Sequence, residues 1–232
     1  MKKPLTFFKR CLHLLLAITF LLSVSLAAAQ QEINLLPKYG LLPKTDAQQT
    51  ADKVFVSGMD ETYHGDRKKA ASDAAMRGWQ YLKQGNPDNA MRRFNQAWLL
   101  DKKNGTALWG MAAVEGSRGK FDDSLKLFAE AKEYIGEDIN FSVDYARTVG
   151  AVAIARKDDA LLRDAFDRYQ HNYEKAPQNV LNLQNWAIAL YCKERYAEAW
   201  AKVKLAEATP NRNQLDSHFL ADLGTHMPRP KD

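Results

Sequence analysis

Cysteine is nearly absent: the 232 residues hold two, Cys11 and Cys192. That excludes a disulfide-stapled scaffold. With 12 Gly and 8 Pro, the chain is neither collagenous nor low in complexity. A charge surplus is missing as well. The formal net charge is +5, but residues 1–29 hold Lys2, Lys3, Lys9 and Arg10 and no acid. Taking those four from 33 basic residues leaves 29 against 28 acidic ones. The basic character therefore belongs to the first 29 residues, which removes the main argument for a nucleic-acid partner. Beyond residue 29 no stretch is long and apolar enough to span a bilayer. Aromatics are not scarce: five Trp, nine Tyr and ten Phe exclude a disordered chain.

The first 29 residues read as a secretory signal peptide. A basic start precedes an apolar run over residues 14–22, and Ala27-Ala28-Ala29 offers a small-residue cleavage site before Gln30. The expected location is the periplasm, with cleavage after Ala29. The alternative is an uncleaved leader anchoring the protein in the inner membrane, which is the one route to membrane contact. Cys11 leaves with the leader, so Cys192 has no internal partner and is expected to be a small apolar filler in a helix.

Residues 30–44 contain an echo, Leu35-Leu36-Pro37-Lys38 and Leu41-Leu42-Pro43-Lys44. Proline at this spacing forbids a regular helix. The segment reads as a strap over an apolar end of the fold, or as a linear motif docked on a partner or in the protein's own groove. A helix is expected over residues 45–63. Ala47, Ala51, Val54, Phe55 and Met59 form its apolar stripe, and His64-Gly65 ends it.

From there the chain repeats itself. Ala90, Phe94 and Ala97 recur 34 residues on as Ser124, Phe128 and Ala131, and Gly85 recurs as Gly119. The four-then-three spacing puts small, large and small side chains on one helical face, where a second helix can approach closely. The set returns as Ala199, Val203 and Ala206, behind a partner helix carrying Leu183, Trp186, Ala187 and Leu190. Between them lies a looser, longer unit with Val149, Val152, Ala165 and Tyr169. Phe94, Phe128, Tyr169 and Trp186 are packing residues in this pattern.

The register resembles the tetratricopeptide repeat, a 34-residue helix-turn-helix, in an exported bacterial form. Counted from Ala71, signature places are filled by Gly78, Tyr81, Ala90, Phe94 and Ala97, then by Leu108, Met111, Ala112, Ser124, Phe128 and Ala131. The third copy departs most, with Arg156 and Asn172 where apolar or small residues belong. The resemblance implies an all-α fold: a right-handed superhelical solenoid of about four helix pairs with capping helices at both ends. The divisions expected are 1–29 leader, 30–70 linker and N-terminal cap, repeats at 71–104, 105–138, 139–179 and 180–211, and a C-terminal cap and tail at 212–232. That cap is expected as a helix over residues 213–223, stopped by Gly224 and Pro228.

Catalytic constellations are not evident. His64, His171, His218 and His226 lack zinc spacing. The stretch from Gly116 to Phe121 has Phe121 where a phosphate loop needs Ser or Thr. Asp122-Asp123 and Asp158-Asp159 sit at helix starts, where carboxylates favour the helix dipole. The expectation is a non-enzyme with no cofactor, no metal and no catalytic residue.

The resemblance places the first helix of each pair on a concave surface. The binding residues it implies are Trp79, Lys83, Trp109, Arg147, Lys157, Gln184 and Tyr191. Aromatics supply anchoring area there and cations orient an acidic or C-terminal group. The family's carboxylate clamp is missing, because Ala75, Trp79, Gly110 and Ala151 stand in its places. The implied function is a periplasmic scaffold binding a peptide or protein, in envelope assembly or secretion. An accessory cell-wall enzyme and a self-assembling structural protein are the alternatives.

Overall fold

A computed structural model describes residues 33–230. The leader, its cleavage site and Cys11 lie outside the described residues. Every regular element among them is helical, in keeping with the all-α class expected. The chain divides into two compact units, residues 33–102 and 103–230.

In the first unit, α1 (Asp46–Thr62) leads to the pair α2 (Arg67–Lys83) and α3 (Pro87–Leu100). Thr45 and Gln48 form a reciprocal capping box at the start of α1. His64 and Gly65, both at positive φ, end it. The stripe expected on α1 is corrected in part. Phe55 and Met59 are half-buried, but Ala47, Ala51 and Val54 face solvent, and α1 buries no residue fully. Val56 takes the inward place instead, because the packed face is short and lies toward the C-terminal half of α1. In the α2–α3 pair, Gly78 lets the Phe94 ring approach α2 closely. A Cβ on Gly78 would meet the Phe94 ring at 2.4 Å.

Residues 33–41 form no regular helix, as proline suggested, and Lys38, Tyr39 and Gly40 take left-handed backbone angles. The segment makes two short turns, Ile33–Leu35 and the kinked Pro37–Leu41, laid on α3. Ile33 and Tyr39 are buried. Asn95 of α3 holds this strap by its backbone. The Asn95 Nδ2 donates to the carbonyls of Asn34 and Leu36, both at 2.9 Å, and Oδ1 accepts the Tyr39 N–H at 3.3 Å. Asn95 itself has no exposed surface. A buried amide with all its partners present stabilises; one without them costs free energy.

The second unit contains three pairs in series. They are α4 (Gly105–Ser117) with α5 (Phe121–Ile135), α6 (Ile139–Arg156) with α7 (Asp159–Lys175), and α8 (Val180–Tyr191) with α9 (Tyr196–Glu207). Both helices of each pair pack on the first helix of the next. Phe128, Tyr169 and Val203 fill the interior at matching places, and Ser124, Ala165 and Ala199 are the small residues beneath them. The buried Ser124 hydroxyl is satisfied by the Ala112 carbonyl at 2.8 Å. Asn104, Asp138 and Asn179 cap the first helices.

Asn172, out of place in an apolar pattern, joins a buried polar chain. Ser142 Oγ donates to Asn172 Oδ1 at 2.6 Å, Asn172 Nδ2 to Asn182 Oδ1 at 3.2 Å, and Asn182 Nδ2 to the Tyr169 carbonyl at 2.9 Å. The C-terminal helix, α10 (Ser217–His226), starts later than expected because Asp216 caps it, and it runs through Gly224. Phe219 and Leu223 bury its inner face. The tail continues until the Met227 carbonyl accepts a bond from Trp200 Nε1 at 3.0 Å.

Candidate functional site

The first helices of the second unit bring one cluster together. Trp109 on α4 donates its Nε1–H to Asp144 Oδ2 on α6 at 3.1 Å, and its ring stands edge-on to Phe141 at 5.8 Å. Both contacts follow from spacing: Phe141 and Asp144 are three apart and share a face of α6. Asp144 is paired at its other oxygen with the exposed Arg147, at 3.4 Å. Burial pushes the Asp144 carboxyl above its ordinary range, while the Arg147 charge and the Trp109 bond pull it down.

Beyond Arg147 a cavity of about 310 Å³ opens between α6 and α8. Gly150, Ile154, Ile188 and Ala189 form its apolar wall, with Arg147 at its rim and Tyr169 beneath. Gly150 admits Tyr169 so closely that a Cβ there would lie 2.7 Å from the phenol oxygen. The cavity thus joins an apolar interior to one exposed guanidinium, the combination that takes a large apolar side chain beside an acidic group.

The other expected residues are placed differently. Gln184 and Tyr191 are engaged by the C-terminal segment. Gln184 Oε1 accepts the Asp216 N–H at 2.7 Å, and Tyr191 packs edge-on against Phe219 at 5.9 Å and against His226 at 5.4 Å. Lys157 is not on a helix face. It is the left-handed residue that closes the turn after α6, with φ 54°. Trp79 and Lys83 belong to the first unit. Trp79 is half-buried, edge-on to Phe94 at 5.7 Å, and Lys83 is exposed at the end of α2.

Cys192 is corrected as well. It caps α8, is exposed and lines the cavity, rather than filling the core. Partial burial still pushes its thiol upward, which disfavours the nucleophilic thiolate. Asp144 and Asn95 were not singled out by the sequence. Asp144 had a faint signal, an acid three residues before Arg147 on a helix face. Asn95 had none beyond its place beside Phe94.

The stretch from Gly116 to Phe121 is a turn in which Arg118 and Lys120 both pair with the buried Glu115, at 2.8 and 3.5 Å. Among the described residues no three metal-ligating side chains converge, and no helix is long and apolar enough to cross a membrane.

No family model matches the chain, and no curated protein does. Among solved structures it is similar to YrrB, described as a TPR protein with an unusual peptide-binding site. Identity is 13%, over 73% of this chain and 92% of that one, with a TM-score of 0.48. It is also similar to MamA, at 14% identity over 74% of this chain and 98% of that one, with a TM-score of 0.44. A MamA RS-1 double mutant gives 17% identity over 70% and 93%, with a TM-score of 0.47.

Proposed function

We propose that this protein is a non-catalytic scaffold that binds a peptide or protein segment on the first-helix face of its second unit. The observation that carries this is the apolar cavity between α6 and α8, with the exposed Arg147 at its rim, paired with Asp144, and the Trp109–Asp144 bond beside it. Asp144 ties Trp109 and Arg147 into one preorganised edge, so little side-chain freedom is lost on binding. An apolar side chain of the ligand enters beside Ile154 and Ile188, and its carboxylate or acidic neighbour meets Arg147. Export to the periplasm is part of the same proposal, with envelope assembly or secretion as the process served.

The test is photo-crosslinking in cells, with the reactive residue at position 109 and, as a control, at Leu205, an exposed position on α9. A discrete adduct from position 109, absent from position 205 and lost with Arg147→Glu, is the expected result. The same diffuse background from both positions would remove the proposal. N-terminal sequencing of the protein recovered from a periplasmic fraction tests the location: a start at Gln30 is expected.

A further inference from the structure

The Asn95 clamp in the first unit suggests a second interaction, separate from the cavity between α6 and α8. Asn95 recognises backbone, not side chains, and the two anchors beside it are Ile33 and Tyr39. A site of this kind accepts any chain that presents those groups, whichever molecule delivers them. The strap's own sequence is one whose fit is demonstrated.

The strap is delivered from its own chain at a conformational cost. Lys38, Tyr39, Gly40 and Leu41 follow one another at φ 53°, 57°, 66° and 53°. L-residues other than glycine disfavour this region, and three of the four are not glycine. The left-handed run turns the chain back from Tyr39 toward α1. There Lys44 lies over the Tyr39 ring at 3.3 Å and pairs with Asp52 of α1. Leu41 and Leu42, at the bend, are 69% and 50% exposed, large apolar side chains with little cover. A short hinge under strain, carrying exposed leucines, is the arrangement that favours exchange of the adjoining segment between copies.

We propose that the α3 clamp takes the strap of a second copy of this chain, so that two molecules exchange residues 33–39 reciprocally. In the exchanged form the bend opens at Gly40 and Leu41, where the left-handed conformation is no longer required. The two hinges run past one another and can cover each other's Leu41 and Leu42. The exchange is isologous and closes at two copies.

Hinge length tests this in the full chain, by light scattering coupled to size exclusion. Deleting Gly40 and Leu41 leaves too little chain to turn back, so the molar mass is expected to double. Inserting Gly-Ser-Gly-Ser between Leu42 and Pro43 relaxes the bend and is expected to hold the chain at the mass of one copy. Adding Asn95→Ala to the deletion is expected to return the dimer to single copies with helical circular dichroism retained. A deletion variant that stays monomeric, whether its strap is docked or loose, overturns the proposal. So does growth beyond two copies, or a dimer indifferent to Asn95→Ala. In a parallel arm, a labelled synthetic peptide of residues 31–44 is titrated onto a Tyr39→Ala chain, whose own strap is weakened while α3 is intact. Binding abolished by Asn95→Ala is expected, and no binding overturns the exchange. Peptide binding with no dimer from the hinge deletion would assign the clamp to a different polypeptide and overturn it too.

Discussion

Asn172→Ala separates two ways of reading this chain. By repeat pattern the substitution is a repair, since Ala97, Ala131 and Ala206 occupy the matching places. By structure it is damage. Asn172 is 1% exposed and links Ser142 to Asn182, itself fully buried. Removing it leaves Asn182 Oδ1 without its donor, at a cost of about 1–3 kcal/mol for a buried polar atom. Ser142 is only half-buried, and water can replace its lost partner. Alanine recovers about 0.6 kcal/mol of helix propensity. The expected balance is a loss of about 0.4–2.4 kcal/mol. Replacing Asn182 by alanine as well removes the orphaned atom, so the double variant should lose less than the two single losses added together. A coupling of about 0.5–3 kcal/mol is the range for residues in one network. Urea unfolding followed by far-UV circular dichroism supplies the cycle. An Asn172→Ala chain as stable as the parent, or additive losses, would refute the assignment.

Gly78→Ala drives a methyl into the fully buried Phe94 ring and should cost about 1–3 kcal/mol in thermal unfolding. Gly58→Ala on α1 meets nothing within 4 Å and should gain about 0.5–1 kcal/mol. Lys157→Gly and Glu194→Gly remove left-handed strain at φ 54° and 59°; each should gain up to about 1 kcal/mol of stability once the added freedom of the unfolded chain is subtracted, seen as a raised melting temperature. Asp144 is an acid with a raised folded pKa, so its contribution is most favourable below the ordinary carboxylate range and falls away as pH rises through the raised value. Asp144→Asn keeps an acceptor for Trp109. Its stability relative to the parent should therefore improve from acid to neutral pH, and a difference independent of pH would count against the burial argument.

What the sequence makes legible is what recurs. The small-large-small face of α3, α5 and α9 is visible because helical periodicity and the 34-residue step coincide at Ala90, Phe94 and Ala97, at Ser124, Phe128 and Ala131, and at Ala199, Val203 and Ala206. The helix over residues 45–63 is legible from the stop at His64-Gly65. Residues satisfied by a distant, non-periodic segment are not. Asn95 depends on a strap outside the repeats, and Gln184 and Tyr191 look like groove residues until α10 is placed against them.

The turns show why the third copy is hard to register. Each helix pair turns on one left-handed residue, at Gly85, Gly119, Lys157 and Glu194. The residue after it returns its N–H to a carbonyl five places back, from Asn86 to Tyr81, Lys120 to Glu115, Asp158 to Ala153, and Arg195 to Leu190. This is one helix-ending motif used four times. Glycine marks it in the first two pairs, where the step from Gly85 to Gly119 is 34 residues. It is missing in the last two, where α6 is longer and the steps to Lys157 and Glu194 lengthen to 38 and 37. The backbone device outlasts both the residue that announces it and the period that locates it. A signature built on residue identity therefore weakens at the third copy while the geometry that joins the helices does not. That is also why Asp144, which joins Trp109 to Arg147, was reachable only through the fold: it lies on α6, the helix whose register the sequence left loosest.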